Sequence, residues 1–293
     1  MNPLFLIDPN LIRSIDDVIR LESQFGISQT GRLLGLNPSD YVKLIYENVS
    51  LKGHSERKRS AFDEAIFGIK QYSVKGKFSD NPGMSWRNSS NKSKRDGIVD
   101  HVVNHDEYDD IDDLELDLKK RSDWSVLADP TVSNFANELK NIFIYSKSLI
   151  IVDQYFFDRD RRFDVLKKLI EVGSKSQKCK SIDIVVSLSK YYDEYDEKTG
   201  VNARKYATKF NENHSYTKVK YVIANDQGNP RLFHQRCILS NLGGLRLEHG
   251  LAVPHSGLEE IECLDLKMHE QKWNLYRNIG AEVSGSIEIP LNY

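Results

Sequence analysis

The sequence predicts an α/β protein, with a mixed-sheet sandwich over residues 129–293, a mainly helical module over 1–75, and a charged flexible linker over 76–128 between them. Three observations carry that reading. Ser148-Leu-Ile-Ile-Val-Asp153 and Ser181-Ile-Asp-Ile-Val-Val-Ser-Leu188 are apolar runs of strand length, as expected of strands buried on both faces. Helical patterns alternate with such runs, which argues for helices layered on a mixed sheet. Residues 106–117 hold eight carboxylates in twelve positions, a composition that repels itself and suits a solvated connection.

In chain order, Asp8-Pro9-Asn10 is a helix start, and Leu11, Ile15, Val18, Ile19 and Leu21 follow near a 3.6 period. Helical segments over Thr30–Leu34, Ser39–Val49 and Glu56–Tyr72 come next, separated by Gly and Asn-Pro breaks. The stretch from Gln29 to Leu44 has helix-turn-helix spacing, with Ser39, Asp40 and Lys43 outward, although a plain helical hairpin fits it as well. Lys52, Arg57, Lys58 and Arg59 form a basic cluster that could grip phosphates or simply be a solvated face. Asp80-Asn-Pro-Gly83 is a turn, and Asn88–Arg95 is polar and basic.

Beyond Asp129-Pro130, Thr131 or Ser133 caps a helix through about Ser146, with Phe135, Leu139, Ile142 and Phe143 on one face. A helix over Arg162–Val172 ends at Gly173. Asn202–Asn211 reads as a further helix, Lys218–Ile223 as a strand, and Leu245–Glu248 as a strand after a Gly243-Gly244 turn.

Composition narrows the function. Lys+Arg 41 against Asp+Glu 43 gives a net charge of -2, so no whole-protein basic field attracts nucleic acid, and any such binding must come from a local patch. Three cysteines far apart fit a reducing compartment and neither a disulfide framework nor a zinc ribbon. The apolar start, Met1–Asp8, is too short for a signal peptide, and no apolar run reaches membrane-spanning length. The expectation is a soluble cytoplasmic protein. His101, His105, Asp106, Glu107 and Asp109 include metal-ligand types, but a carboxylate-rich linker is the commoner origin of such a set, and no metal or other cofactor is expected. Tyr191, Tyr192 and Tyr195 beside Lys190 could stack on bases or pack a loop.

The run from Arg231 to Leu251 carries the functional argument. His234 and Arg236 stand two apart in an apolar segment that reads as a strand, so they share a face with Cα atoms roughly 6.5–7 Å apart. An imidazole beside a guanidinium, with the Asn241 amide five residues on, is a set of groups suited to an anion. Arg231, Arg246 and His249 could extend it, and Asp153 ends a buried strand, where α/β sheets place site residues. The bland alternatives stay open: His234 and Arg236 as a structural pair on loop carbonyls, and Asp153 as a loop cap.

The segment from Leu149 to about Asp265 resembles the phospholipase-D-like domain found at the C-terminus of MIT-domain proteins. Ile150–Tyr155 is similar to that family's first strand and Lys180–Leu188 to its second. His234-x-Arg236-x-Ile238-x-x-Asn241-x-Gly243, then His249-Gly250-Leu251 and Glu262–Asp265, are similar to its signature and tail. Residues 1–128 do not resemble an MIT domain, so the family's trafficking role does not come with the match. Catalytic members of the superfamily carry His-x-Lys-x4-Asp, usually twice. Here Arg236 stands at the Lys position and Asn241 at the Asp position, in one copy. Asn cannot supply the charge that makes a nucleophilic imidazole basic.

The resemblance therefore implies a phosphate- or membrane-binding module in place of a hydrolase. The expectation built on it is a homo-oligomer that recognises nucleic-acid backbone, or another phosphorylated ligand, through His234, Arg236, Asn241 and His249, with nucleic acid preferred over lipid. Two other classes compete with it. One is a metal-independent phosphodiesterase or nuclease, with His234 as nucleophile across a homodimer. The other is an adaptor that docks proteins through its N-terminal helices and acidic linker. Membership of a microbial defence complex is compatible with this domain company.

Overall fold

The structure is a computed structural model of the 293-residue chain. It describes residues 2–36, 38–76, 78, 85–108, 110–119, 125–128, 131–156, 160–174, 176, 178–187, 217–224, 233–252, 258–279 and 287–289. The chain divides into two compact units, Met1–Trp124 and Ser125–Tyr293. Both mix helices with sheet, as an α/β protein should.

The first unit is built on a parallel sheet. Strands β1 (Leu4–Ile7), β2 (Leu33–Leu36), β3 (Val74–Lys75) and β4 (His101–Val103) lie in the order β3-β2-β1-β4. Around them are α1 (Ile15–Gln24), α2 (Ile27–Thr30), α3 (Pro38–Asn48), α4 (Glu56–Tyr72), α5 (Trp86–Arg95) and α6 (Ile111–Lys119). Ser14 and Asp17 close a capping box at the start of α1, satisfying two amides that the helix leaves open. Phe5, Ile7, Leu34 and Leu36 from the strands join Val18, Leu21, Ile45, Phe62, Ile66 and Leu114 from the helices in one core.

Two expectations fail here. The mainly helical reading missed the sheet because β1 and β2 are four-residue apolar runs, too short to show a strand period. The helix-turn-helix reading fails with it, since Leu33–Leu36, which would end its first helix and open its turn, are a fully buried strand.

The segment read as a flexible linker is likewise part of this fold. Ser89, Ser90 and Ser93 bury one face of α5, and Ile111, Leu114 and Leu118 bury one face of α6. The second half of the acidic block, Asp112 to Asp117, thus lies on the solvent side of an amphipathic helix. The block's compensating cations come from distant sequence, Arg20 pairing with Asp112 and Arg87 with Asp106. The Asp80–Gly83 turn, the 202–211 helix and the Tyr191–Tyr195 aromatics lie outside the described residues.

The second unit is an eight-stranded mixed sheet. It comprises β5 (Ser125–Ala128), β6 (Ser148–Val152), β7 (Ser181–Ser187), β8 (Lys218–Ala224), β9 (Arg236–Ser240), β10 (Gly243–Leu247), β11 (Glu259–Cys263) and β12 (Ile287–Ile289). Their order is β12-β8-β7-β6-β9-β10-β11-β5. β6, β7 and β8 run parallel, and β9, β10, β11 and β5 continue the sheet antiparallel. The helices are α7 (Val132–Tyr145), capped by Thr131 as expected, α8 (Asp160–Ser174) and α9 (Leu266–Arg277).

Period-2 alternation divides the sheet. Ile150, Val152, Cys237 and Leu239 pack with Leu264 and Tyr276 on the α9 side, while Leu149, Ile151 and Ile238 are equally buried on the other. Gly244 sits where a Cβ would come within 2.8 Å of a Leu264 methyl and 2.9 Å of a Leu239 methyl, so a side chain there would have to displace packed leucines beneath α9 and its lead-in.

His269 of α9 is buried and donates from Nε2 to the Ser240 carbonyl at 2.9 Å. Burial holds its pKa below the ordinary histidine value, against the Ser240 bond and Glu270. A histidine that protonates less readily folded than unfolded stabilises fully above about pH 6.5 and loses that contribution as pH falls toward its folded pKa. Urea unfolding from about pH 7.5 to about pH 5.5 should therefore weaken wild type more than His269→Gln. Parallel pH curves for the two proteins would refute this.

Candidate anion site at the end of strand β6

The candidate site forms where β6 ends and β9 begins. Val152 pairs with Cys237, so the next position on each strand sets Asp153 beside Arg236. Asp153 is fully buried. Arg162, from the first turn of α8, places Nε 3.1 Å from its Oδ2, and Arg236 places Nε 3.9 Å from its Oδ1. The Tyr155 amide donates to Oδ1 at 3.0 Å, and the Leu251 amide also faces the carboxylate.

The two arginine contacts are ion pairs without hydrogen-bond alignment, leaving Asp153 Oδ2 and both Nε groups buried without an aligned partner among the described residues. Burial pushes the Asp153 carboxyl up from its ordinary value, and Arg162, the Tyr155 amide, Arg236 and the Leu251 amide pull it back.

The loop after β10 closes over this cluster. Arg236 Nη1 donates to the Glu248 carbonyl, and its guanidinium lies 5.3 Å from the centre of the Tyr155 ring. Gly250 has φ +74°, and a Cβ there would meet Asp153 Oδ2 at 2.2 Å. Between them, His249 is anchored twice to Glu259: its amide donates to Oε1 and its Nδ1 to Oε2, both at 2.8 Å. The Glu259 carboxylate is buried, which raises its pKa, while the His249 bonds oppose the shift. That bracing fixes the tautomer and leaves Nε2 as the imidazole's outward nitrogen, on a side chain half exposed to solvent.

The structure therefore gathers Asp153, Arg236 and the His249 loop but not the whole predicted set. His234 is exposed, in the bend ahead of β9, while its neighbour Phe233 is buried in the core. Strand alternation begins only at Arg236, so the argument that His234 and Arg236 share a face does not apply. Asn241 lies in the turn after β9, roughly 16 Å along the strand from Arg236. There its Oδ1 accepts the Lys147 amide at 2.8 Å. Arg246 pairs across the ladder with Cys237, on the face opposite Arg236, and is bonded to Glu262. Arg231 lies outside the described residues.

Arg162 and Glu259 are the site residues that sequence reasoning misses. Glu259 had a signal, since Ile261 and Cys263 alternate inward along β11 and the same period turns residue 259 inward. Arg162 had none beyond its place in the first turn of an amphipathic helix.

No family model matches the chain, and no curated protein does. Among solved structures, it is similar to TrmBL2, described as an archaeal chromatin protein with a novel mode of DNA binding, at 12% identity. That match covers 83% of this chain and 86% of the other, with a TM-score of 0.27. A score that low carries no inference about fold or ligand.

Proposed function

We propose that the second unit is a phospholipase-D-like module that recognises a phosphoryl group, in nucleic-acid backbone or another phosphorylated ligand, without hydrolysing it. The observation that supports this most is the state of Arg236. Asp153 and the Glu248 carbonyl fix its direction, Tyr155 lies against it, and its side chain is still 22% exposed. A preoriented guanidinium with donors to spare suits a phosphate oxygen. His249, braced by Glu259, adds a second donor when protonated.

Recognition is favoured over hydrolysis because the histidine that has a buried carboxylate behind it is His249. His234 stands at the nucleophile position of the motif, and Asn241 is occupied at the other end of β9. The accessible position of His234 does favour a second reading, a metal-independent phosphodiesterase completed across a homodimer.

A fluorescein-labelled oligonucleotide titrated at several salt concentrations tests both. Arg236→Ala should weaken binding and flatten the dependence of log K on log salt by about 0.7–0.9 for each phosphate that the variant no longer neutralises. Arg236→Lys should retain part of the slope. Unchanged affinity and slope in Arg236→Ala would end the proposal. Cleavage of the same probe in chelator, abolished in His234→Ala, would favour the second reading instead.

A further inference from the structure

The first unit holds a second arrangement of buried polar groups, independent of the phosphate reading. Its strands run parallel in the order β3-β2-β1-β4, so the chain steps outward from β1 to β3 and then returns to lay β4 on the other side of β1. Open α/β sheets take ligands at such a reversal, in the crevice outside the carboxyl ends of the two strands. Here those ends are Asp8 and Asn104. Ile7 pairs with Val103, and the Asp8 amide donates to the Val103 carbonyl at 2.9 Å, so the two residues stand side by side. Each is 3% exposed.

What these groups offer is specific. Glu107 Oε1 accepts from Asn104 Nδ2 at 2.6 Å, which fixes the amide and leaves its Oδ1 buried with no hydrogen-bond partner among the described residues. Tyr41 of α3 is 5% exposed, and its hydroxyl is likewise unpartnered. α3 packs on the Pro9–Leu11 turn that follows Asp8, and Tyr41 shares a core cluster with Ile7, Leu11 and Val103, so it sits near the ends of β1 and β4. The Asp8 charge there adds to burial in keeping the phenol protonated. His105 shares its Nδ1 with Asp8 Oδ2 at 2.7 Å and is half exposed, so Nε2 is its outward nitrogen.

The set excludes an anion. Asp8 is itself negative, and its Oδ1 already accepts the Asn10 amide and side chain at 2.9 and 3.0 Å. That amide is the kind of main-chain donor with which a phosphate loop at this position would hold its ligand. What remains is two acceptors, Asn104 Oδ1 and His105 Nε2, and one hydroxyl that can give or take, the complement of a neutral ligand rich in O–H donors.

We infer that the crevice between the carboxyl ends of β1 and β4 binds an uncharged ligand presenting vicinal hydroxyls, held by Asn104 Oδ1, the Tyr41 hydroxyl and His105 Nε2. A nucleoside and a free sugar share that chemistry.

Calorimetric titration of the full chain with adenosine, ribose and 2′,3′-dideoxyadenosine decides it. Adenosine should bind with Kd about 1 mM or tighter, and dideoxyadenosine, which lacks both hydroxyls, at least about tenfold more weakly. Tyr41→Phe should weaken adenosine about fivefold, the effect of one neutral hydrogen bond, with its melting temperature unchanged. If that variant does not fold, Asn104→Ala is read in its place. Ribose binding as well as adenosine would assign the site to the sugar alone, and binding of adenosine only would assign it to a nucleoside. Three results would overturn the inference: no binding of adenosine or ribose at about 10 mM, dideoxyadenosine binding as well as adenosine, or heat from magnesium chloride alone that Asn104→Ala removes.

Discussion

Gly250→Ala is expected to lower the melting temperature of the second unit by about 10 °C, far more than an ordinary surface glycine replacement. Two costs add. The left-handed backbone at φ +74° costs a residue with a Cβ about 1–2 kcal/mol. The new methyl group would also stand 2.2 Å from Asp153 Oδ2, 2.8 Å from its Cγ and 3.0 Å from Arg236 Cδ, none of which can retreat without opening the ion cluster. Overpacking of that kind costs about 1–3 kcal/mol more. Gly97 supplies the control, with a similar φ of +68° and nothing within 4 Å of the added atom. Gly97→Ala should show the backbone cost alone, about 1–2 kcal/mol. Equal losses at the two glycines, measured by urea unfolding, would remove the packing half of the argument.

Asp153→Leu should be comparably damaging, at about 3–5 kcal/mol, because it strands Arg162 in the interior and takes the anchor from Arg236. The loss comes from an uncompensated buried charge, so removing that charge should repair it. Asp153→Leu combined with Arg162→Met is expected to recover much of the stability, as buried ion pairs replaced by apolar residues of similar size often do. Phosphate binding should not return with it, since Arg236 would still lack its brace. Recovery of the fold together with full binding would show that Arg236 is oriented by something other than Asp153.

The second unit was more legible in the sequence than the first, for a physical reason. β6, β7 and β8 lie in the middle of the sheet, and as strands of five to seven residues rich in Ile and Val they announce themselves. In the first unit the strands have two to four residues. Runs that short look like turns of an amphipathic helix. The acidic stretch misled in another way: charge density was visible, but Ile111, Leu114 and Leu118 were the informative residues, spaced as one helix face.

At the candidate site, Asp153 and Arg236 were recoverable because each stands at a strand end. Arg246 and Asn241 are close to Arg236 in the chain, but their side chains do not join it in space. A tight turn sends Arg246 to the other face, and strand length carries Asn241 away.

β5 has a practical consequence. Its four residues lie at the very start of the second unit, ahead of the Asp129-Pro130 punctuation that looks like a natural place to cut. A fragment begun at 129 would strip the outermost strand from the sheet and leave the β11 backbone bare from Glu259 to Glu262, inviting adhesion between copies. Begun a few residues before Ser125, the same fragment keeps its own selvedge.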